Sequence, residues 1–313
     1  MDTQLLPFAT QDVPRYTSYP TAVQFQAPFP GETADQWLTA LNPDATLSVY
    51  VHIPFCRQLC WYCGCHTSVP NSYDRAARYV EYLVKDIRRS AALFQGKKGK
   101  VTHFHFGGGT PTYLDDLHIA EIVEAVDKGF GLAPGGEIAL ESDPRTLTKE
   151  RAKVLASMGF TRISFGVQDF ATHVQKINRL QTFRLVKASN EFLREAGFTP
   201  IHFDLMYGLP AQTVESVAKT AEQAASLKPD RISVFGYAHV PWFKKHQKMI
   251  NDADPPGITA RYQQATTIER ELNAHGYASI GLDHFALEHD DLIKAQRNGT
   301  MRRNFQGYTT DVS

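Results

Sequence analysis

An unbroken alternation of strand-like and helix-like segments constrains this chain more than any other feature of its sequence. Runs rich in Val, Ile, Phe and Tyr occupy Leu47–Phe55, Val101–Phe106, Glu137–Glu141, Arg162–Val167, Ile201–Tyr207 and Arg231–Tyr237. Most are nearly continuously apolar or alternate with period two, as strands do. Helical patterns separate them: Tyr73–Phe94, Leu114–Gly129, Lys149–Met158, Phe183–Ala196, Val214–Leu227 and Thr259–His275. Gly159, Gly197 and Gly276 each follow a helix, where a left-handed residue ends it. Six successive βα units call for a parallel sheet with helices outside. The expected class is therefore α/β, and the expected architecture a partial (β/α)6 barrel. A doubly wound open sheet is the alternative. In both, the loops after the strands form the active face. A seventh strand-like run, Ala278–Leu282, follows the last helix.

The ends of the chain lack this rhythm. Residues 1–45 carry Pro7, Pro14, Pro20, Pro28, Pro30 and Pro43, with one short helical stretch near Ala34–Leu41, and are expected to form an irregular N-terminal arm. The barrel is expected over 46–285, and a further C-terminal region starts at 286–313. Lys plus Arg equals Asp plus Glu, 33 each, so no global field draws in nucleic acid or an anionic membrane. Met1 to Thr10 has no basic stretch followed by an apolar one, so no secretory signal is expected there. No apolar run approaches the roughly 20 residues that cross a bilayer. A cytoplasmic protein is expected.

All four cysteines lie between Cys56 and Cys65. Bunched in this way they cannot staple distant parts of a fold, which points to metal or redox chemistry. Cys56, Cys60 and Cys63 have the spacing CxxxCxxC directly after the first strand. Three thiolates on one loop can hold three irons of a [4Fe–4S] cubane and leave the fourth open to a ligand. A zinc site drawn from Cys56, Cys60, Cys63, Cys65 and His66 is the competing assignment, but zinc sites usually bring paired cysteines from separate segments. Cys65, one residue beyond Gly64, is expected not to be a ligand.

Other groups sit on the same expected rim. Gly107, Gly108 and Gly109 follow the second strand and let a ligand approach the backbone, or simply make a tight turn. No GK[ST] follows, so this is not a phosphate-binding loop of that type. Glu141 ends the third strand, Gln168 and Asp169 the fourth, and Asp204 lies within the fifth. A buried ionisable group needs a partner, either a ligand or a salt bridge inside the barrel mouth. Arg179 could pair with a ligand carboxylate or with Asp204. His52, His103 and His105, on strands, are expected to be packed residues rather than ligands.

Together these segments resemble the oxygen-independent coproporphyrinogen III oxidase family of radical S-adenosylmethionine (SAM) enzymes. The resemblance rests on PRYTSYPTA at Pro14–Ala22, YVHIPFCRQLCWYCGC at Tyr50–Cys65, GGGTPTYL at Gly107–Leu114, ESDPR at Glu141–Arg145, GVQDF at Gly166–Phe170, DLMYGLP at Asp204–Pro210 and RNFQGYTT at Arg303–Thr310. It implies a [4Fe–4S] cluster held by Cys56, Cys60 and Cys63, and two SAM molecules. By motif, Tyr50, Gly108 and Glu141 would contact the SAM on the cluster. Tyr62, Gly109, Thr110, Gln168, Arg179, Asp204 and Ala238 would contact the second. The implied reaction is oxidative decarboxylation of two propionates of coproporphyrinogen III to vinyls, giving protoporphyrinogen IX. A deoxyadenosyl radical would abstract the hydrogen, and an electron donor such as a flavodoxin or ferredoxin system would supply the electron. A monomer is expected. A haem-binding or haem-trafficking protein that keeps the cluster without this reaction is the alternative. Family members also continue past RNFQGYTT into a mostly helical domain, whose absence from this chain would impair the reaction.

Overall fold

The strands form because β-branched and aromatic residues alternate with polar ones, and the pleat sends the two sets to opposite faces. In the computed structural model, which describes residues 4, 6–9, 24–26, 30–171, 177–304 and 307–310, helices α1 (Leu6–Ala9) and α2 (Gly31–Thr39) precede the alternating region. The alternation then runs β1 (Leu47–Ile53), α3 (Asp74–Leu93), β2 (Val101–Gly108), α4 (Asp116–Phe130), β3 (Leu132–Ser142), α5 (Lys149–Ser157), β4 (Arg162–Gln168), α6 (Phe183–Ala196), β5 (Ile201–Tyr207), α7 (Val214–Ser226), β6 (Arg231–Gly236) and α8 (Ile258–Ala274). After it come β7 (Tyr277–Gly281), β8 (His284–Leu287), α9 (Asp291–Arg297), β9 (Arg302–Asn304) and β10 (Gly307–Thr309). The arm motif at 14–22 lies outside the described residues.

Strand order is β1-β2-β3-β4-β5-β6-β8-β7, with β1 through β6 parallel. The order never reverses within the parallel part, whereas a doubly wound sheet must reverse at its switch point. All helices of the βα units therefore fall on one face, and the other face curls around a lumen without closing. β8 joins β6 antiparallel and β7 lies at the edge. The expected seventh strand is thus not another parallel one. It is half of a hairpin whose two turn residues, Leu282 and Asp283, both have positive φ, 40° and 67°. Two-residue hairpins with this backbone are usually marked by Asn-Gly or Asp-Gly. Leu-Asp gives no such mark.

The core lies between the sheet's outer face and the helices. Phe104, Phe106, Ile163, Phe165, Val167, Ile201, Phe203 and Leu205 are essentially without solvent contact. They meet helix stripes such as Ala76, Val80, Val84 and Ile87 on α3, spaced as one face of a helix requires. Thr148, Thr182 and Thr213 cap α5, α6 and α7, each accepting a backbone N–H of the first turn. The alternate strand positions point into the lumen and are polar: His103 and His105, Arg162 and Ser164, His202 and Asp204, Arg231 and Ser233. Phe203→Ala should therefore destabilise the fold by about 3–5 kcal/mol in urea unfolding, through lost burial and a cavity. A loss below about 1 kcal/mol would mean that this outer face is not the main core.

Candidate active site

The loops after β1 to β6 surround one cavity of about 700 Å3 at the carboxyl ends of the strands. That volume is within the range of small-molecule sites. Cys56, Cys60, Cys63, Tyr62, Gly108, Gly109, Thr110, Glu141, Gln168, Arg179, Asp204 and Ala238 all line it. Segments separated by nearly two hundred residues thus meet around one cavity. Tyr50 does not line the cavity. Its hydroxyl is 3.0 Å from His52 Nδ1, and its ring stacks on His105 with centroids 5.8 Å apart. Asp169 turns the other way. It accepts from Thr220, Gln212 and the Ala171 N–H, and so fixes the end of β4.

The cysteine loop has little regular structure of its own and is held from outside. Cys56 N–H donates to Ser68 O at 3.0 Å and Ser68 N–H to Pro54 O at 2.9 Å, closing the loop's base. Beyond β6, Gln247 Nε2 donates to Tyr62 O at 3.0 Å and Lys244 Nζ to Cys65 O at 3.0 Å. His246 Nε2 donates to Cys63 O at 2.8 Å. On the other flank, Trp61 N–H donates to Ile177 O at 2.9 Å and Asn178 Nδ2 to Leu59 O at 2.8 Å. The glycine strip is a clearance. A Cβ on Gly109 would stand 2.4 Å from Thr67 Oγ1 and 3.0 Å from the Cys56 sulfur. On Gly108 it would meet Ile53 O at 2.8 Å, and that residue has φ 123°.

Each cysteine has its own surroundings. Thr67 Oγ1 donates to Cys56 Sγ at 3.2 Å, and Thr110 Oγ1 lies 3.4 Å from it. Burial nevertheless pushes the Cys56 thiol up. A hydrogen bond from the Cys65 thiol pulls Cys63 down to about 6, and the same bond pushes Cys65 up. Among the described residues, no group of three or more His, Cys, Asp or Glu side chains is arranged to hold a single metal ion.

Around the rim, Glu141 Oε2 accepts from Gly108 N–H at 3.1 Å, and His105 Nε2 is 3.5 Å from Oε1. Arg179 is 8% exposed, and its carboxylate partner is Asp143 at 3.3 Å rather than Asp204. Asp143 also takes Arg145 Nε and Nη2, at 2.9 and 2.6 Å. Despite burial, those Arg145 bonds and the Arg179 charge hold the Asp143 carboxyl below its usual range. Gln168 has φ 65°, unusual for a residue with a side chain, and its buried Oε1 has no hydrogen-bond partner among the described residues. A buried unmet acceptor on a strained residue is a rare combination that protein folding alone does not favour. Asp143, Arg145, Arg162, His202, Ser233, Tyr237 and Gln247 also line the cavity and were not foreseen as site residues. For those on strands, a signal existed in the period-two polar positions.

The sequence matches the radical SAM superfamily over residues 50–224. It is 48% identical over 305 residues to an oxygen-independent coproporphyrinogen III oxidase of Bradyrhizobium diazoefficiens, covering 97% of this chain and 68% of the relative. With the Escherichia coli enzyme of that description it shares 44% over 298 residues, covering 95% and 65%. The solved structure of coproporphyrinogen III oxidase from Escherichia coli, described as a radical SAM enzyme, superimposes with a TM-score of 0.90 at 43% identity, covering 95% of this chain and 68% of that one.

The chain belongs to the oxygen-independent coproporphyrinogen III oxidase family.

It spans about two thirds of the length of these relatives. Membership of the radical SAM superfamily implies a [4Fe–4S] cluster and SAM. The residues present fit both. Three sulfurs face one cavity, Gly109 leaves room beside Cys56, and Gln168 Oε1 awaits a donor. Among the described residues, no helix is long and apolar enough to cross a membrane.

Asp204 gives the cavity a pH signature. Burial, reinforced by the Glu141 charge, raises its carboxyl from 3.8 to about 8. The folded protein then binds a proton that the unfolded chain gives up near pH 4, so this group costs stability as pH rises from about 4 to about 8. Asp204→Asn should raise the unfolding temperature of the ligand-free protein, with a gain that grows from pH 5 to pH 8 and then levels. A constant gain, or none, would mean that Asp204 stays ionised.

Proposed function

We propose that this chain carries the barrel in which two propionates of coproporphyrinogen III are oxidatively decarboxylated to vinyls, giving protoporphyrinogen IX. The supporting observation is convergence. The CxxxCxxC cysteines, the glycine strip, Glu141, Gln168 and Asp204 come from five successive strands, β1 to β5, and line a single cavity. The relatives' descriptions support this reading over haem trafficking.

In this reading Cys56, Cys60 and Cys63 hold the cluster and Cys65 does not. When bound, the cluster supplies the electron that cleaves SAM. Gly108 keeps the backbone low beside the methionine end of SAM, and Glu141, oriented by the Gly108 N–H, receives a cationic or hydroxyl group. Tyr62, Gly109, Thr110, Gln168, Arg179, Asp204 and Ala238 form the place for a second SAM. Tyr50, standing off the cavity, supports its wall through His105. The protein's work is to position both ligands and keep water from the reacting centre. An arm over 1–45, a barrel over 46–285 and a further region from 286 divide the chain. A cytoplasmic monomer, served by a flavodoxin or ferredoxin system and without nucleic-acid partners, completes the proposal.

After anaerobic reconstitution, Cys56→Ala, Cys60→Ala and Cys63→Ala should each lose iron and sulfide, while Cys65→Ala keeps them. Tight zinc with no iron in the unaltered chain would overturn the assignment. Glu141→Ala and Asp204→Ala should weaken SAM binding roughly 10- to 150-fold with iron retained, the effect of losing one charged hydrogen bond of about 1.5–3 kcal/mol. Unchanged SAM affinity in both would remove them from the site. Conversion itself is measured by following deoxyadenosine and protoporphyrinogen in one anaerobic assay.

A further inference from the structure

The three cluster cysteines do not have equivalent hydrogen-bond donors. Threonine hydroxyls serve Cys56. Among the described residues, Cys60 alone of the three has a charged donor, Arg179 Nη1, 3.6 Å from its sulfur. We infer that Arg179 is a redox-tuning residue, whose guanidinium bond to the Cys60 sulfur raises the reduction potential of the cluster bound there. This rests on the proposed cluster assignment and goes beyond the SAM contact that the resemblance gives Arg179.

Several independent features fix the pair. Cys60 and Arg179 are each 8% exposed, so water and salt screen little of the interaction. The segment carrying Arg179 is laced to the cysteine loop on both sides of Cys60. Gln58 Nε2 donates to Asn178 Oδ1 at 2.6 Å, Asn178 Nδ2 to Leu59 O at 2.8 Å, and Trp61 N–H to Ile177 O at 2.9 Å. Asn178 itself has φ 59°, a left-handed conformation that Asn tolerates better than most residues. The guanidinium is held from its other side by Gly166 O and by Gln181 Oε1, the latter at 3.2 Å. It thus has no freedom to swing from the sulfur to solvent.

Reduction adds one negative charge to the cluster, so a fixed positive charge beside a ligating sulfur stabilises the reduced form more than the oxidised one. Hydrogen bonds to the sulfurs act in the same direction. The local balance is adjustable. Arg179 and Arg145 share one carboxylate, Asp143, which takes the same Nη1 that reaches Cys60. The trio has one net positive charge, and Asp143 moderates it.

The test uses the whole chain, anaerobically reconstituted, with iron and sulfide measured first and the cluster midpoint potential then read by EPR-monitored reductive titration without SAM. Arg179→Gln should shift the potential to more negative values, and Arg179→Lys should restore part of the shift. Asp143→Asn should shift it the other way, because it removes the moderating charge and frees Nη1. A merely structural role would lower iron content or thermal stability and leave the potential of the clusters that remain unmoved. Unchanged potentials in Arg179→Gln and Asp143→Asn at full iron content would overturn the inference. If Arg179→Gln does not retain a cluster, Asp143→Asn decides alone, a rise supporting the inference and no shift overturning it. Absence of any cluster in the unaltered chain would instead overturn the cluster assignment, a failure distinguishable from the first.

Discussion

The pleat of six parallel strands is the constraint on which the site depends. Side chains alternate between faces with period two. A strand such as Ile201–Tyr207 therefore sends Phe203 and Leu205 to the helices and His202, Asp204 and Met206 to the lumen. The apolar face supplies the stability that lets the polar face be assembled at all. Polar groups in the lumen must find partners or remain unmet, at roughly 1–3 kcal/mol each when buried. Most find partners: Arg162 lies against Glu137, and His202 bonds Ser233. Among the described residues, Gln168 Oε1 and His105 Nδ1 do not. Both belong to residues on the cavity wall.

The cysteine loop shows a second dependence. A loop without its own ladder takes its shape from whatever accepts and donates around it. Here the donors are Lys244, His246 and Gln247 from beyond β6, and Asn178 from beyond β4. The geometry presented to a cluster is thus set by residues far along the chain. It is also why the loop and the second half of the rim can influence each other electrically, through Asp143, Arg145 and Arg179.

Much of the fold was legible in the sequence. The six βα units lie within a few residues of where apolar patterning put them, and the three glycines that end helices have φ of 85° to 93°. The hairpin of β7 and β8 was not legible, because Leu282 and Asp283 take a backbone that their residue types do not advertise. The lumen polarity was present as alternation in the strands, but apolar content dominated that pattern. Tyr50 carries the motif's identity yet packs against His105 and over Gly107 instead of facing the cavity.

By itself the sequence determined the α/β class, the order of its units and the bunching of Cys56, Cys60 and Cys63 on one loop after the first strand, because these follow from local periodicity and from spacing along the chain; the roles of the other rim residues were named by family resemblance. Only the tertiary structure decided that the sheet stays open, that Arg179 meets Asp143 and Cys60 rather than Asp204, and that Asp169 braces β4 instead of facing a ligand. Those outcomes turn on which charged groups arrive within a few ångströms of one another in a low-dielectric lumen. Coulomb energy falls with distance through space, and distance through space is what a linear sequence does not contain.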